Sequence, residues 1–170
     1  SMKYVAESRR EIAPQKTIFN LLGPLTNPAR AKKQLIGVYS ESLMEIVAET
    51  LINLGTERAM VIHSYDGMDE ISIYDKTHVI EINNSEIKRY DIDPSDYFSC
   101  SSSMSSIIVN DANQSLAMMM SVLKNEDTAA RMISLINAAT LVYISGKSES
   151  ISDGIEICKN ALETNSAYDN

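Results

Sequence analysis

The period of the apolar residues changes several times along the chain, and each change marks an element. In residues 2–13, Met2, Val5, Ala6, Ile12 and Ala13 recur on one side of a 3.6-residue repeat, which predicts an amphipathic helix. Lys3, Glu7, Arg10 and Glu11 point elsewhere. Arg9 falls on the apolar side, one turn from Val5 and Ile12, where the repeat asks for an apolar residue. Pro14 ends this helix. Thr17–Pro28 (TIFNLLGPLTNP) is apolar in its first half and turn-forming in its second. Gly23-Pro24 and Asn27-Pro28 restrict the backbone twice within one short segment, which predicts a rigid corner around Leu25.

Gln34–Tyr39 is a near-continuous apolar run of strand length, as expected of a strand buried on both faces. Ser40 is placed to cap a helix whose stripe is Leu43, Ile46, Val47, Leu51 and Leu54, with Gly55 just past its end. Ala59–His63 reads as a second buried strand. Strand, helix and strand with short joints predict a βαβ unit with parallel pairing. Ile71–Tyr74, His78–Ile82 and Ile87–Tyr90 read as short strands, with Asn83-Asn84 as a turn between the last two. Residues 91–113 are polar and serine-rich, and read as a loop. Leu116, Met119, Met120 and Leu123 stripe one helix. Residues 128–145 are apolar on nearly every side, bracketed by Asp127 and Gly146, and predict a helix buried among others. Ile151, Ile155, Cys158 and Leu162 stripe a last helix starting near Ser148. The expected fold class is α/β over residues 1–170 as a single domain: a mixed sheet with a parallel βαβ core, an antiparallel addition and flanking helices.

Composition narrows the function. The 170 residues are 44% hydrophobic and 22% charged, ordinary for a globular domain. A net charge of −8 argues against a nucleic-acid surface, which needs clustered Lys and Arg. A bound anion would then need a local cation or a metal. Cys100 and Cys158 show neither metal-ligand spacing nor a disulfide framework, which fits a reducing cytoplasm. His63 and His78 are too few for a His-based metal site and read as structural. No run is long enough to span a bilayer, and no signal-peptide pattern is present.

Chemistry concentrates in Ser64-Tyr65-Asp66-Gly67-Met68-Asp69-Glu70, directly after the second strand. Ligands of open parallel sheets gather at the carboxyl ends of strands. Asp69 and Glu70 at a loop–strand junction can both reach one cation. Mg²⁺ suits them, since it keeps several waters and is held by one or two carboxylates plus substrate phosphates. Spacing alone favours a solvated acidic turn over a cation site. Arg9 has two readings as well: a snorkelling or ion-paired core residue, or a guanidinium aimed into a cleft to grip a carboxylate. No Ser-His-Asp or Cys-His nucleophile arrangement is evident, and Met118–Met120 reads as core filler.

TIFNLLGPLTNP, taken with KYVAESRR upstream and QLIGVYS and DGMDEIS downstream, resembles the anthranilate phosphoribosyltransferase family of tryptophan biosynthesis. The likeness runs from Met2 to the last helix. It implies a phosphoribosyltransferase or nucleoside phosphorylase-like α/β domain. It also implies transfer of ribose 5-phosphate from phosphoribosyl pyrophosphate to the amine of anthranilate. By the same resemblance, Asp69 and Glu70 match the acids of a DGxDE motif that bind Mg²⁺, and Arg9 matches the Arg that contacts anthranilate. Pro24 would line the entry channel of the aromatic substrate. The segment Ile12–Lys16 departs from the family, being longer by a residue and carrying Pro14 where Gly is common.

A second departure is larger. The family cradles the diphosphate with a GTGGD loop and a KHGNR-type segment, and none of the six glycines here lies in a GxGxxG or P-loop pattern. The resemblance therefore implies the C-terminal portion of the enzyme, without the N-terminal helical domain and phosphate loop and inactive by itself. The complete protein is expected to be a cytoplasmic homodimer. Two alternatives stay open: a self-standing non-catalytic binding domain, and a relative of the pyrimidine nucleoside phosphorylases.

Overall fold

The computed structural model of the chain describes residues 19–99 and 103–169. The expected helix over residues 2–13, and Arg9 with it, lies outside the described residues, as does Cys100. The chain divides into two compact units, Ser1–Ala31 and Lys32–Asn170.

In the first unit, helix α1 spans Phe19–Leu25 and passes through Gly23 and Pro24. The corner therefore starts later than the Gly-Pro step suggests. Part of the clash that keeps a pre-proline residue out of the helix comes from its Cβ, and Gly23 has none. The helix ends where Thr26 donates to the Leu22 carbonyl from its N–H at 2.9 Å and from its hydroxyl at 2.5 Å. The turn that follows is closed by the Ala29 N–H on Asn27 Oδ1, at 3.0 Å. Pro24 is exposed.

The second unit is a four-stranded sheet in the order β1-β2-β3-β4. Its strands are β1 (Lys33–Gly37), β2 (Arg58–Ser64), β3 (Thr77–Asn83) and β4 (Glu86–Ile92). β1 and β2 pair in parallel, and the other two neighbouring pairs are antiparallel, as the sequence predicts. The hairpin turn falls at Asn84-Ser85, with φ of 48° and 71°, the left-handed conformation that such a turn requires.

Helix α2 (Met44–Asn53) joins β1 to β2 and buries Met44, Val47, Ala48 and Leu51 against β2 and β3. Ser40 makes no side-chain cap, because a 3₁₀ turn at Glu41–Leu43 precedes the helix. Ile46 and Leu54, expected in the buried stripe, are exposed: Ile46 lies a helical step round from Val47, and Leu54 falls past the last turn. The other face of the sheet, with Met60, Ile62 and Val79, packs on α4 (Ala129–Ser145) and α5 (Ile151–Glu163) through Ile133, Ile136, Ala139, Ile151 and Ile155.

The cap of α4 is Thr128, whose hydroxyl accepts from the Arg131 N–H, rather than Asp127; Gly146 at φ 81° closes its far end as expected. Ser150 caps α5, and Ile151, Ile155 and Leu162 of its predicted stripe are buried.

Helix α3 (Ala112–Leu123) departs from expectation. It begins inside the segment read as loop, capped by Asp111, and none of its residues is buried. Leu116 and Met119, predicted to be core, are 58% and 60% exposed. Ile71–Tyr74 also forms no strand. Its apolar alternation is real, since Ile71 and Ile73 are buried, but the N–H groups of Ile71, Ser72 and Tyr74 bond to side chains instead of to a neighbouring strand.

Candidate active site

The chain leaves β2 at Ser64 and turns at once. The Gly67 N–H bonds the Ser64 carbonyl at 2.9 Å, and the Ser64 N–H bonds the Met68 carbonyl at 2.9 Å. Gly67 has φ of 90°, where a side chain would be strained. Asp66 points inward and staples the loop. Its Oδ1 accepts from the Met68 N–H at 3.1 Å, and its Oδ2 from the Ser72 hydroxyl. Ser64, Ser72 and Thr77 are fully buried and spend their hydroxyls on this loop: Ser64 on the Lys76 carbonyl, Ser72 on Asp66 and Thr77 as acceptor from the Ser72 N–H. The first acid of the DGMDE segment is thus structural.

Asp69 and Glu70 face the opposite way. Both are exposed, and neither carboxylate is engaged by a hydrogen bond or ion pair with a described residue. Their backbone is fixed from two sides. A Cβ built on Gly37, at the carboxyl end of β1, would stand 1.6 Å from the Asp69 carbonyl oxygen, so strand and loop meet backbone to backbone. On the other side, the Ile71 N–H donates to Asn137 Oδ1 and Asn137 Nδ2 donates to the Ile71 carbonyl, each at 3.0 Å. Two free carboxylates therefore stand on a loop held by a strand and a helix, at the carboxyl ends of both parallel strands.

The pair lies on the rim of a cleft of about 510 Å³. Its walls are mostly apolar: Met68, Ile107, Val109, Met118, Met119, Val122, Leu123 and Ile133. Met118 and Met119 of α3 thus line the cleft instead of filling the core. Two carboxylates beside apolar walls make a place where a cation is held more strongly than in open water. Among the described residues no cluster of three or more His, Cys, Asp or Glu could hold a metal. Two unpartnered carboxylates with room for water and substrate oxygens fit Mg²⁺, and do not fit a closed zinc site.

Of the residues singled out from sequence, Asp69 and Glu70 share one cleft, Pro24 belongs to the other unit, and Arg9 lies outside the described residues. His63 is structural as read, with Nδ1 2.8 Å from the Val38 carbonyl. Gly37 and Asn137 were missed. A glycine inside an apolar strand signals close backbone approach, and an asparagine on a helix apolar all round signals a buried polar contact; both signals were present.

The fold is an α/β domain with a mostly apolar cleft that the acidic loop beyond the carboxyl ends of its parallel strands helps to line. A sequence profile described as "Glycosyl transferase family, a/b domain" matches residues 1–168, and the chain belongs to that family. It is 41% identical to the anthranilate phosphoribosyltransferase of Nitrosomonas eutropha, over 98% of this chain and 49% of that protein. It is 40% identical to the enzyme of the same name from Clostridium kluyveri, over 99% of this chain and 50% of that protein. The chain thus spans about half the length of the relatives it matches. The crystal structure of anthranilate phosphoribosyltransferase from Thermus thermophilus superposes with a TM-score of 0.85 at 29% identity, covering 98% of this chain and 49% of that one. The Saccharomyces cerevisiae enzyme in complex with PRPP and Mg shares the fold, with a TM-score of 0.84 at 23% identity over 98% of this chain and 48% of that one.

Proposed function

We propose that this chain is the α/β portion of an anthranilate phosphoribosyltransferase, acting in tryptophan biosynthesis. The complete protein transfers 5-phosphoribosyl from phosphoribosyl pyrophosphate to the amine of anthranilate and releases pyrophosphate. The reading is carried by the Asp69–Glu70 pair, free of described protein partners on a loop pinned from two sides, in a chain 41% identical over 98% of its length to a protein of that name.

Asp69 and Glu70 hold Mg²⁺, which when bound neutralises charge on the departing pyrophosphate. Arg9 grips the anthranilate carboxylate in a two-pronged hydrogen-bonded pair, and Pro24 lines the path of the aromatic ring. The residues of this chain bind and orient; the transfer, through an oxocarbenium-like sugar, depends on positioning and charge neutralisation more than on a strong base. The glycine-rich diphosphate loop belongs to the half of the complete protein outside this chain, so the chain by itself turns over no substrate. The complete protein works as a homodimer in the cytoplasm. Among the described residues no helix is long and apolar enough to cross a membrane.

The test is steady-state kinetics of the complete protein. Arg9→Ala raises KM for anthranilate more than KM for phosphoribosyl pyrophosphate. Equal losses for both substrates would remove the role given to Arg9. Reading the coding sequence on both sides of the chain checks the second half of the proposal, since a GTGGD loop must be found there. Turnover by the purified chain, beyond what a contaminant explains, would contradict it.

A further inference from the structure

The acid pair is supported by a side chain that belongs to neither the loop nor the sheet. Asn137 sits on α4, half-buried, and every hydrogen-bonding hydrogen of its amide is spent. Oδ1 accepts from the Ile71 N–H at 3.0 Å; Nδ2 donates to the Ile71 carbonyl at 3.0 Å and to the Ile133 carbonyl at 2.9 Å. A flipped amide would set its oxygen against two carbonyls and its NH₂ against an N–H, so the orientation is fixed by its partners. Asn137 thus pairs with Ile71 as a neighbouring strand would, at a place where no strand runs. Ile71 directly follows Glu70 and is itself fully buried. One residue further back, Gly37 closes on the Asp69 carbonyl from the sheet side.

We propose that Asn137 is a positioning residue for the cation site: its amide clamp on Ile71, opposed by Gly37 behind Asp69, sets the direction in which the Asp69 and Glu70 carboxylates leave the backbone. The inference rests on the reading of that pair as cation ligands. Groups that hold metal ligands in place affect affinity without touching the metal. Here the clamp acts on the ligands' backbone, which leaves both carboxylates free to bind.

Mn²⁺ alone, titrated into the full chain and followed by its electron paramagnetic resonance signal, tests this. The parent binds, and Asp69→Asn and Glu70→Gln each weaken binding. Asn137→Ala weakens it about tenfold while all its acids remain in place. Asn137→Asp keeps the shape and the acceptor for the Ile71 N–H but sets a carboxylate oxygen against two carbonyls, and weakens binding as well. Parent-like affinity in both Asn137 variants, with the acid variants impaired, overturns the positioning role alone. No binding by the parent, or no loss in the acid variants, overturns the cation reading and this inference with it. Hydrogen exchange of the unsubstituted chain stands whatever the variants do. The Ile71 amide exchanges as slowly as amides of β2 and β3 if the clamp exists, and at loop rates if it does not.

Discussion

Gly37 and Asp69 touch through their backbones: a side-chain carbon on Gly37 would lie 1.6 Å from the Asp69 carbonyl oxygen and 3.2 Å from its Cα. No rotamer change relieves such an overlap, because the obstructing atoms are main chain. Gly37→Ala therefore forces β1 and the acidic loop apart. The expected loss is about 1–3 kcal/mol, the usual range for overpacking, read as a lower urea midpoint. A Gly37→Ala chain as stable as its parent would mean that strand and loop are not in contact.

A second close approach joins the two helices that cover the sheet. A Cβ on Gly154 in α5 would stand 2.6 Å from the Ala139 carbonyl oxygen in α4. Glycine in a helix interior costs up to about 1 kcal/mol relative to alanine, so the residue is kept against its own helix preference. Gly154→Ala gains that increment and loses more by parting the helices. Thermal melting shows a net decrease. An increase in melting temperature would show that α4 and α5 have room between them.

The sheet was legible in the sequence because its signals are local. Gln34–Tyr39 and Ala59–His63 are near-continuous apolar runs of strand length, flanked by polar residues. Asn84, inside the expected turn, takes the positive φ that Asn tolerates. Elsewhere the information was not local. The apolar alternation of Ile71–Tyr74 correctly marks buried side chains, yet says nothing of where the backbone bonds go, and they go to Asn137, Thr77 and Ser72. The stripe of α3 correctly marks an amphipathic helix, but burial depends on what lies opposite, and Leu116 and Met119 have little over them among the described residues. The acid pair could be found by its order in the chain. Its supports could not be ranked as such, because Gly37 and Asn137 act on residues far from them in sequence.

Glu81 on β3 ties sheet to helix by accepting from two phenols, Tyr90 at Oε2 and Tyr143 at Oε1, each at 2.9 Å. Burial first, and the Glu81 carboxylate second, push both phenols above the ordinary tyrosine range. In the unfolded chain they ionise near pH ~10. Above that pH the unfolded chain has released protons that the folded chain still holds, so stability is full below about pH 10 and falls as pH rises. Guanidinium midpoints measured from pH 8 upward should drop beyond that point. The drop should be shallower in a Tyr90→Phe, Tyr143→Phe double variant, which has no phenol to ionise at either place. Parallel slopes in parent and variant would show that these phenols ionise alike in both states.

Asp69 and Glu70 permit a separation of stability from function that Asp66 does not. Asp66 is bound inside its own loop, so neutralising it removes two hydrogen-bond acceptances at once. Asp69 and Glu70 are exposed and unpartnered among the described residues, and the chain already carries a net charge of −8. Asp69→Asn with Glu70→Gln should then alter stability by no more than about 0.5 kcal/mol, as surface substitutions do. In the complete protein the same pair of changes should lower turnover about a hundredfold, the scale on which removal of a charge-stabilising group acts, and should flatten the dependence of rate on Mg²⁺ concentration. Denaturation and kinetics on the same variant decide between roles. A loss of stability alone makes the pair a structural feature of the loop. Unchanged turnover would mean that the carboxylates hold no cation. Only lost turnover in a chain as stable as its parent matches two acids kept free of the fold in order to bind something outside it.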